Sequence, residues 1–190
     1  MEVGERASKE YNIEMSLNEM EEIWKGINFS LMPYKNTFLI KNYDEIQQDL
    51  DEHIVTTQSM QFSPFKKPFE DRILNWNNKL KIMSDVLEEW AKCQGEWMYL
   101  QPIFDSADIA KQLAQEYKKF KTVDSTWRHT MEQASKGILV IDMCSQDGLL
   151  ERLQEANKNL ETIQKELRTY LEKKREKFAR FYFLSDTDLL

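Results

Sequence analysis

The chain has 190 residues, of which 41% are hydrophobic and 31% charged, and its net charge is −7. This apolar content is enough for a core and argues against wholesale disorder. The acidic balance argues against a nucleic-acid partner, because the phosphate backbone needs a basic face. Five Gly and four Pro among many Glu, Lys, Leu and Gln favour long helices.

Cysteine usage and hydropathy indicate the cellular compartment and whether the chain has a signal peptide or a membrane span. Two cysteines, Cys93 and Cys144, do not make a disulfide framework, which favours a reducing, intracellular compartment. The polar N-terminus predicts no signal peptide. No apolar run approaches the roughly 18 residues that a membrane span needs, so no membrane contact is predicted.

Glu5 to Tyr11 is polar and helix-prone, and the helix that follows it is predicted to begin at a capping box. Ser16 is the predicted N-cap, and the side chain of Glu19, three residues on, completes the box. The helix is predicted to end near Gly26. Its predicted core face consists of Leu17, Met20, Ile23 and Trp24.

Residues 29–40 interrupt the helical patterns. Two short aromatic or branched runs flank a turn at Pro33–Asn36, which predicts a small β-hairpin that covers one face of a helix bundle. A helix is predicted again from Asp44 to about Met60. Its apolar stripe is Ile46, Leu50, Ile54 and Thr57. Pro68 fits the first turn of the helix that follows.

The most regular pattern in the chain lies between residues 70 and 100. Apolar residues recur at spacings of 3 and 4 for more than three heptads, which predicts one long helix. The seam is Ile73, Trp76, Leu80, Met83, Leu87, Trp90, Gln94 and Trp97. Three tryptophans are too bulky for a two-stranded coiled coil and predict a bundle of three or more helices. Pro102 is predicted to break this helix.

A second half of similar design follows. Ser106 is predicted to cap a helix that begins at Ala107, and a further stripe consists of Tyr117, Phe120, Val123, Trp127 and Met131. Gly137 is predicted to end it. Residues 138–141 are apolar and predict either a buried strand-like connection or a helix turn.

The last helix is predicted to begin after Gly148. Its heptad seam is Leu149, Leu153, Ala156, Leu160, Ile163, Leu167 and Tyr170. The predicted fold class is therefore mainly all-α: an elongated helical bundle rod with long heptad helices and a small hairpin near residues 29–40.

The end of this last helix carries the most informative surface. Five large apolar side chains fall within seven residues, and we expect them to pack on a neighbouring subdomain. The predicted packing residues are Phe178, Arg180, Phe181, Tyr182, Phe183 and Leu184. The basic cluster of Lys173, Lys174 and Arg175 with Lys177 and Arg180 predicts either a solvated helix end favoured by the helix dipole or a docking patch for an acidic partner.

No residue pattern indicates catalysis. The sequence has no GxxxxGK[ST] and no GxGxxG, so no nucleotide site and no cofactor is predicted within it. His53 follows Asp51 and Glu52, but a zinc site needs three or four ligands, and an ordinary helix histidine is the better interpretation. Cys93 and Cys144 lack a neighbouring base in sequence, and packing or partial exposure is predicted for them in place of a nucleophilic role. The chain by itself is not predicted to be an enzyme.

Three ordered groups of residues resemble the linker of dynein heavy chains. They are Asp51–Gln58 with Ser63–Phe65; Trp90, Gln94, Trp97–Leu100, Ile103–Ile109 and Val123–Trp127; and Ile163–Lys165, Tyr170–Arg175 and Arg180–Asp186. The resemblance runs from about Tyr11 to the last residue. The forms Tyr-Leu-Glu-Lys-Lys-Arg and Phe-Leu-Ser are similar to those of axonemal heavy chains, inner-arm ones among them. The family usually has Pro where this chain has Ala114 and Ala179, and without Pro at Ala179 the backbone of Phe178 is less restricted.

The resemblance implies a mechanical role. The linker is an all-helical lever that lies across a ring of AAA+ modules and bends and straightens with ATP turnover, driving movement toward the microtubule minus end. The chain would then be one fragment, 1–190, with approximate sub-bundles 1–101 and 102–190. ATP and Mg would belong to the ring of the parent protein. The implied partners are the AAA+ ring modules, neighbouring linker subdomains, microtubules and dynein intermediate and light chains. The implied location is the cytoskeleton, in the axoneme of a cilium or flagellum.

Breaks in the seam pattern predict where such a lever bends. They fall at Gln101 and Pro102, and again between Ser135 and Asp147 with Gly137 and Gly148 at the ends of helices. A helical scaffold or adaptor that binds partner helices is the alternative prediction for the same pattern.

Overall fold

A computed structural model describes residues 2–178 of the chain. Its helices and strands are α1 (Glu2–Trp24), β1 (Leu31–Tyr34), β2 (Thr37–Ile40), α2 (Tyr43–Gln61), α3 (Glu70–Phe104), α4 (Ala107–Gln112), α5 (Ala114–Ala134), α6 (Val140–Cys144) and α7 (Leu149–Phe178). The predicted class, mainly helical with one small hairpin, is confirmed. No helix within residues 2–178 is both long and apolar enough to cross a membrane.

The described chain divides into two compact units, each made of two separate stretches. Unit 1 contains residues 2–88 and 131–150, and unit 2 contains residues 89–130 and 151–178. Helices α3, α5 and α7 therefore each contribute residues to both units. The sub-bundles 1–101 and 102–190 cut the chain at another place and stay a prediction.

The first helix runs through the start that the sequence predicts at Ser16. α1 runs without interruption from Glu2 to Trp24, so Ser16 lies inside the helix and the prediction that it is an N-cap is wrong. The upstream residues include Glu, Arg, Ala and Lys, which are good helix formers and extend the helix past the capping signal. Ile23 is also wrong as a core residue, since it is 47% exposed. It lies about 100° around the helix from Trp24, which is fully buried.

The hairpin prediction is confirmed. β1 and β2 pair antiparallel with Leu31 opposite Ile40, and they are joined by Lys35 and Asn36. Both turn residues have positive φ, 44° and 64°, which is the geometry of a type I′ turn and matches the twist of the strands. Pro33 belongs to β1 and not to the turn; a two-stranded sheet tolerates it because each strand is an edge.

The long seam of α3 is buried as predicted at seven of its eight positions, and Gln94 is half-buried. The prediction that Pro102 breaks this helix is wrong, because α3 continues to Phe104. Proline removes one backbone hydrogen bond, and here it does so in the last turn, where only two helical residues follow. The backbone N–H of Asp105 still donates to the carbonyl of Gln101 at 3.2 Å.

Glycines and a short apolar segment separate α5, α6 and α7, as the sequence predicts. Gly137 follows α5 with a φ of +79°, and Gly148 precedes α7 with a φ of +81°. The apolar run 138–141 combines both predicted alternatives. Leu139 forms an isolated antiparallel bridge with Asn28, and the next residue, Val140, begins α6.

The first residues of α4 and α5 can be compared with the sequence patterns at Ser106 and Ala114. Ser106 precedes α4 with an extended backbone, as an N-cap does, but its side chain makes no capping hydrogen bond. Ala114 is the first residue of α5. A helix tolerates proline well at its first position, so either residue fits the backbone at this place.

Candidate functional site

Buried tryptophans in unit 2 take part in a network of hydrogen bonds and ring contacts. The indole Nε1 of Trp97, on α3, donates to Oδ1 of Asp124, on α5, at 2.9 Å. The Nε of Arg128, one turn further along α5, donates to Oδ2 of the same carboxylate at 3.0 Å. Asp124 thus joins a fully buried indole to a partly exposed guanidinium, and we call these three residues the unit 2 clamp.

Stacked rings extend the clamp along the same two helices. Trp97 stacks on Trp127 with ring centroids 5.5 Å apart and an interplanar angle of 22°. Further toward the end of α3, Phe104 stacks on Phe120 at 5.1 Å. Aromatic pairs of this kind contribute about 0.5–1.5 kcal/mol each beyond their buried area. The two stacks and the shared carboxylate hold α3 and α5 together inside unit 2.

A buried asparagine joins α7 to α3 within unit 2. Asn157 is buried, and its Nδ2 donates to the backbone carbonyl of Glu89 at 2.9 Å and to Oε2 of the same residue at 2.6 Å. A single polar residue in an apolar seam fixes the register of packed helices, since other registers leave it unpaired. Further along α7, the Tyr170 hydroxyl donates to Oε1 of Gln112, in α4.

Unit 1 has its own buried tryptophan with a polar partner. The Nε1 of Trp24 donates to Nδ1 of His53 at 2.8 Å, and the two rings meet edge to face at 6.0 Å. Because Nδ1 accepts this bond, the imidazole proton lies on Nε2. His53 is therefore a structural partner of Trp24. Among residues 2–178, no group of three or more His, Cys, Asp or Glu side chains could hold a metal ion.

The guanidinium of Arg72 ties α3 to α1 in unit 1. It donates to Oδ1 of Asn18 at 2.7 Å and to Oε2 of Glu21 at 3.1 Å. A pocket of about 630 Å³ lies beside this contact and is lined in part by the indoles of Trp24 and Trp76. Sequence periodicity could not predict it, since the lining residues come from α1, α3 and the 139–142 segment.

Both cysteines are buried and free, which fits the interpretation that they are packing residues. Burial raises the pKa of the Cys144 thiol to about 12. Burial also raises the pKa of Cys93 to about 12, and the carboxylates of Glu96 and Glu89 add to the shift. A thiol that stays protonated at neutral pH is a poor nucleophile.

The predicted packing residues at the end of the chain fall beyond what the structure describes. Arg180, Phe181, Tyr182, Phe183 and Leu184 lie outside the described residues, as does Ala179. Phe178 is the last residue of α7, and its side chain also lies outside them. Their role in packing on a neighbouring subdomain stays a prediction.

The predicted hinge residues have defined local surroundings. Gln101 is buried, and its Nε2 donates to the carboxylate of Asp105 at 3.1 Å. Pro102 lies inside α3, while Gly137 and Gly148 occupy left-handed backbone at the ends of helices. Their role as hinges stays a prediction.

Comparison with known proteins identifies the family. A family model described as "Dynein heavy chain, N-terminal region 2" matches residues 1–190. The chain belongs to the dynein heavy-chain family. It is 52% identical over 190 residues to Dynein axonemal heavy chain 1 of Mus musculus, covering 99% of this chain and 4% of that protein. It is 45% identical over 190 residues to Dynein axonemal heavy chain 3 of Homo sapiens, covering 99% and 5%.

A third relative gives the same result. Dynein axonemal heavy chain 12 of Mus musculus is 44% identical over 186 residues, 97% of this chain and 6% of that protein. The chain thus spans 4–6% of the length of these relatives and is a segment of a dynein heavy chain. The predicted resemblance is confirmed, and the predicted location, the cytoskeleton of a ciliary or flagellar axoneme, agrees with these axonemal relatives.

Proposed function

We propose that this chain is a lever segment, the linker, of an axonemal dynein heavy chain. The unit 2 clamp is the observation that carries the proposal, together with the family. A lever transmits force only if it resists bending within each bundle, and close-packed interiors with few voids are stiff. Buried tryptophans at heptad spacing fill such interiors, and the Nε1 atoms of Trp97 in unit 2 and of Trp24 in unit 1 also donate hydrogen bonds there.

The length and sequence of α3 support the same role. The helix has 35 residues, which corresponds to about 52 Å at 1.5 Å per residue. It contributes to both units, and Asn157 from α7 packs against it at Glu89. A continuous helix that is held at several points along its length carries force along its axis without needing a catalytic residue.

Bending would then concentrate where helices end or lose hydrogen bonds. The sites we propose are Gln101 with Pro102, and the segment between Ser135 and Asp147 with Gly137 and Gly148. Proline and left-handed glycine mark backbone that interrupts the regular hydrogen-bond ladder. Hinges are commonly a few residues at the ends of elements.

In this proposal, ATP hydrolysis and microtubule binding belong to the parent motor and not to this segment. ATP would be hydrolysed in its AAA+ ring, and the chain would bend and straighten across that ring in a motor directed toward the microtubule minus end. The ring modules, adjacent linker subdomains, microtubules and dynein intermediate and light chains are the proposed partners. The residues Phe178, Arg180, Phe181, Tyr182, Phe183 and Leu184 would pack on the next linker subdomain.

A motility assay with a complete heavy chain tests the lever role. The change Asp124→Ala removes the carboxylate of the unit 2 clamp, and Glu132→Ala, an exposed carboxylate of the same helix, is the control. We expect Asp124→Ala to lower microtubule gliding velocity more than the rate of ATP turnover. The ring would continue to hydrolyse ATP, but a less rigid lever would convert less of the released energy into movement. We also expect the isolated 190-residue chain to show no ATP turnover. Gliding velocity that falls only in proportion to ATP turnover would argue against a lever.

A further inference from the structure

The outer surface of α2 has a charge pattern that differs from that of the other long helices. Within Tyr43–Gln61 there are five carboxylates and no Lys or Arg: Asp44, Glu45, Asp49, Asp51 and Glu52. Asp49 is half-buried, and the other four are exposed. Among the described residues, no lysine or arginine forms an ion pair with any of the five. One carboxylate oxygen of Asp51 accepts from Nε2 of Gln47 at 2.9 Å.

Two large apolar side chains stand on the same side of this helix. Val55 is 65% exposed and Phe62 is 86% exposed. They are seven residues apart, and Asp51 and Asp44 precede Val55 by four and eleven residues, so all four fall within about 60° of one another around the axis. We call these four residues and Glu52 the α2 outer face. The opposite side of α2 faces the core of unit 1 through Ile46, Leu50, Thr57 and Met60.

The position of Phe62 is defined by the backbone. It is the C-cap residue of α2, with helical dihedral angles of −95° and −1°, and its N–H donates to the carbonyl of Ser59 at 3.2 Å. The phenyl ring is therefore held out in solvent by an ordered helix end. Single exposed apolar residues are ordinary on protein surfaces, but this pair stands beside a row of carboxylates that form no ion pair within the described residues, and together they offer a basic partner both an apolar and a charge-complementary contact.

We propose that the α2 outer face binds a basic amphipathic helix of another polypeptide. Lysine or arginine side chains of that helix would lie along Asp44, Asp51 and Glu52, and an apolar side chain would cover Val55 and Phe62. The negative charge of this face indicates which partner it can bind. It repels a nucleic acid, an anionic lipid surface and the same face of a second copy of the chain, so a basic polypeptide is the partner that it fits. The inference concerns a surface of unit 1 and does not depend on the lever role.

A designed peptide tests the proposal on the 190-residue chain. The probe is an 18-residue helical peptide with lysines at i, i+4, i+7 and i+11 and two leucines on the same side, and its binding is measured by fluorescence anisotropy. We expect binding that weakens as salt rises, because exposed charges are screened. The double changes Val55→Ser with Phe62→Ser, and Asp51→Asn with Glu52→Gln, should each weaken binding by about tenfold, as anchor residues of interfaces do.

The control variant removes the same charge from another exposed helix surface. Glu14→Gln with Glu19→Gln on α1 should change binding less than about twofold, since it alters only the long-range field. The control peptide has the same composition with its lysines spread around the helix. The thermal unfolding midpoint of the variants should stay unchanged, since the altered side chains are exposed and not part of the core.

Three results would overturn the proposal. The first is equal weakening by the α1 and α2 carboxylate variants, or equal binding of both peptides, which would indicate nonspecific charge attraction. The second is no binding of the amphipathic probe at low salt. The third is sedimentation showing self-association of the chain that is lost in the Val55→Ser, Phe62→Ser variant, which would identify a second copy as the occupant.

Discussion

Replacing Asp124 by alanine should destabilise unit 2, because one carboxylate serves two donors. The Nε1 of Trp97 is buried, and without Oδ1 of Asp124 it would lose the acceptor at 2.9 Å. A buried donor left unpaired costs about 1–3 kcal/mol. Arg128 loses an ion pair whose side chains are 35% and 17% exposed, and an exposed pair contributes about 0.2–1 kcal/mol. Together these effects predict that the free energy of unfolding falls by about 1–4 kcal/mol.

A conservative change separates the two contributions. Asp124→Asn keeps an oxygen that accepts from Trp97 but removes the negative charge opposite Arg128, so the loss should be about 1 kcal/mol or less. Trp97→Phe removes the indole donor and most of the ring contact. In a double-mutant cycle, Trp97→Phe and Asp124→Ala should then show a coupling free energy of about 0.5–3 kcal/mol, since the two residues are in direct contact.

Urea unfolding followed by tryptophan fluorescence and by circular dichroism measures these differences. Glu132→Ala is the matched control, because it removes an exposed carboxylate from the same helix, and it should change the free energy of unfolding by less than about 0.5 kcal/mol. The reasoning is refuted if Asp124→Ala costs no more than Glu132→Ala, or if the cycle shows no coupling.

Three further predictions concern other buried groups and the backbone. His53→Leu should lower the free energy of unfolding by about 1–3 kcal/mol, since its tryptophan partner keeps a buried N–H without an acceptor, and an unchanged urea midpoint would contradict this. Because the folded-state pKa values of Cys93 and Cys144 are raised from 9.0 to about 12, the unfolded chain releases these protons first, so stability should be constant below pH 8 and fall above pH 9. A pH titration of urea midpoints should show this fall in the native chain and lose it when both cysteines are alanine. Gly137→Ala should destabilise the fold by about 1 kcal/mol, because the φ of Gly137 is +79°. Gly95 lies inside α3 without a close neighbour, so Gly95→Ala should stabilise the fold by about 0.5–1 kcal/mol. Equal effects of the two changes on thermal unfolding would contradict this argument from backbone conformation.

Local patterns decided most of the secondary structure. The heptad seams predicted α3 and α7, the stripe from Phe120 to Met131 predicted the core side of α5, and the turn residues between the two apolar runs predicted the hairpin. Where the local rules failed, two signals competed. At Ser16 a capping box competed with helix-forming residues upstream. At Pro102 a helix-breaking residue lies in the last turn of α3, where only two helical residues follow it.

The sequence by itself determined most of the buried residues along α3, α5 and α7, because a 3.5- or 3.6-residue period records the side that faces the core; on α1 it failed at Ile23. It also carried the motifs that resemble the dynein linker. Only the tertiary structure decided the polar partners inside the core: Trp97 meets Asp124 across 27 positions, and Trp24 meets His53 across 29. Such pairs depend on the rotation and offset of one helix against another. Those two quantities are set by the packing of all the side chains between the helices, and no window of sequence contains them.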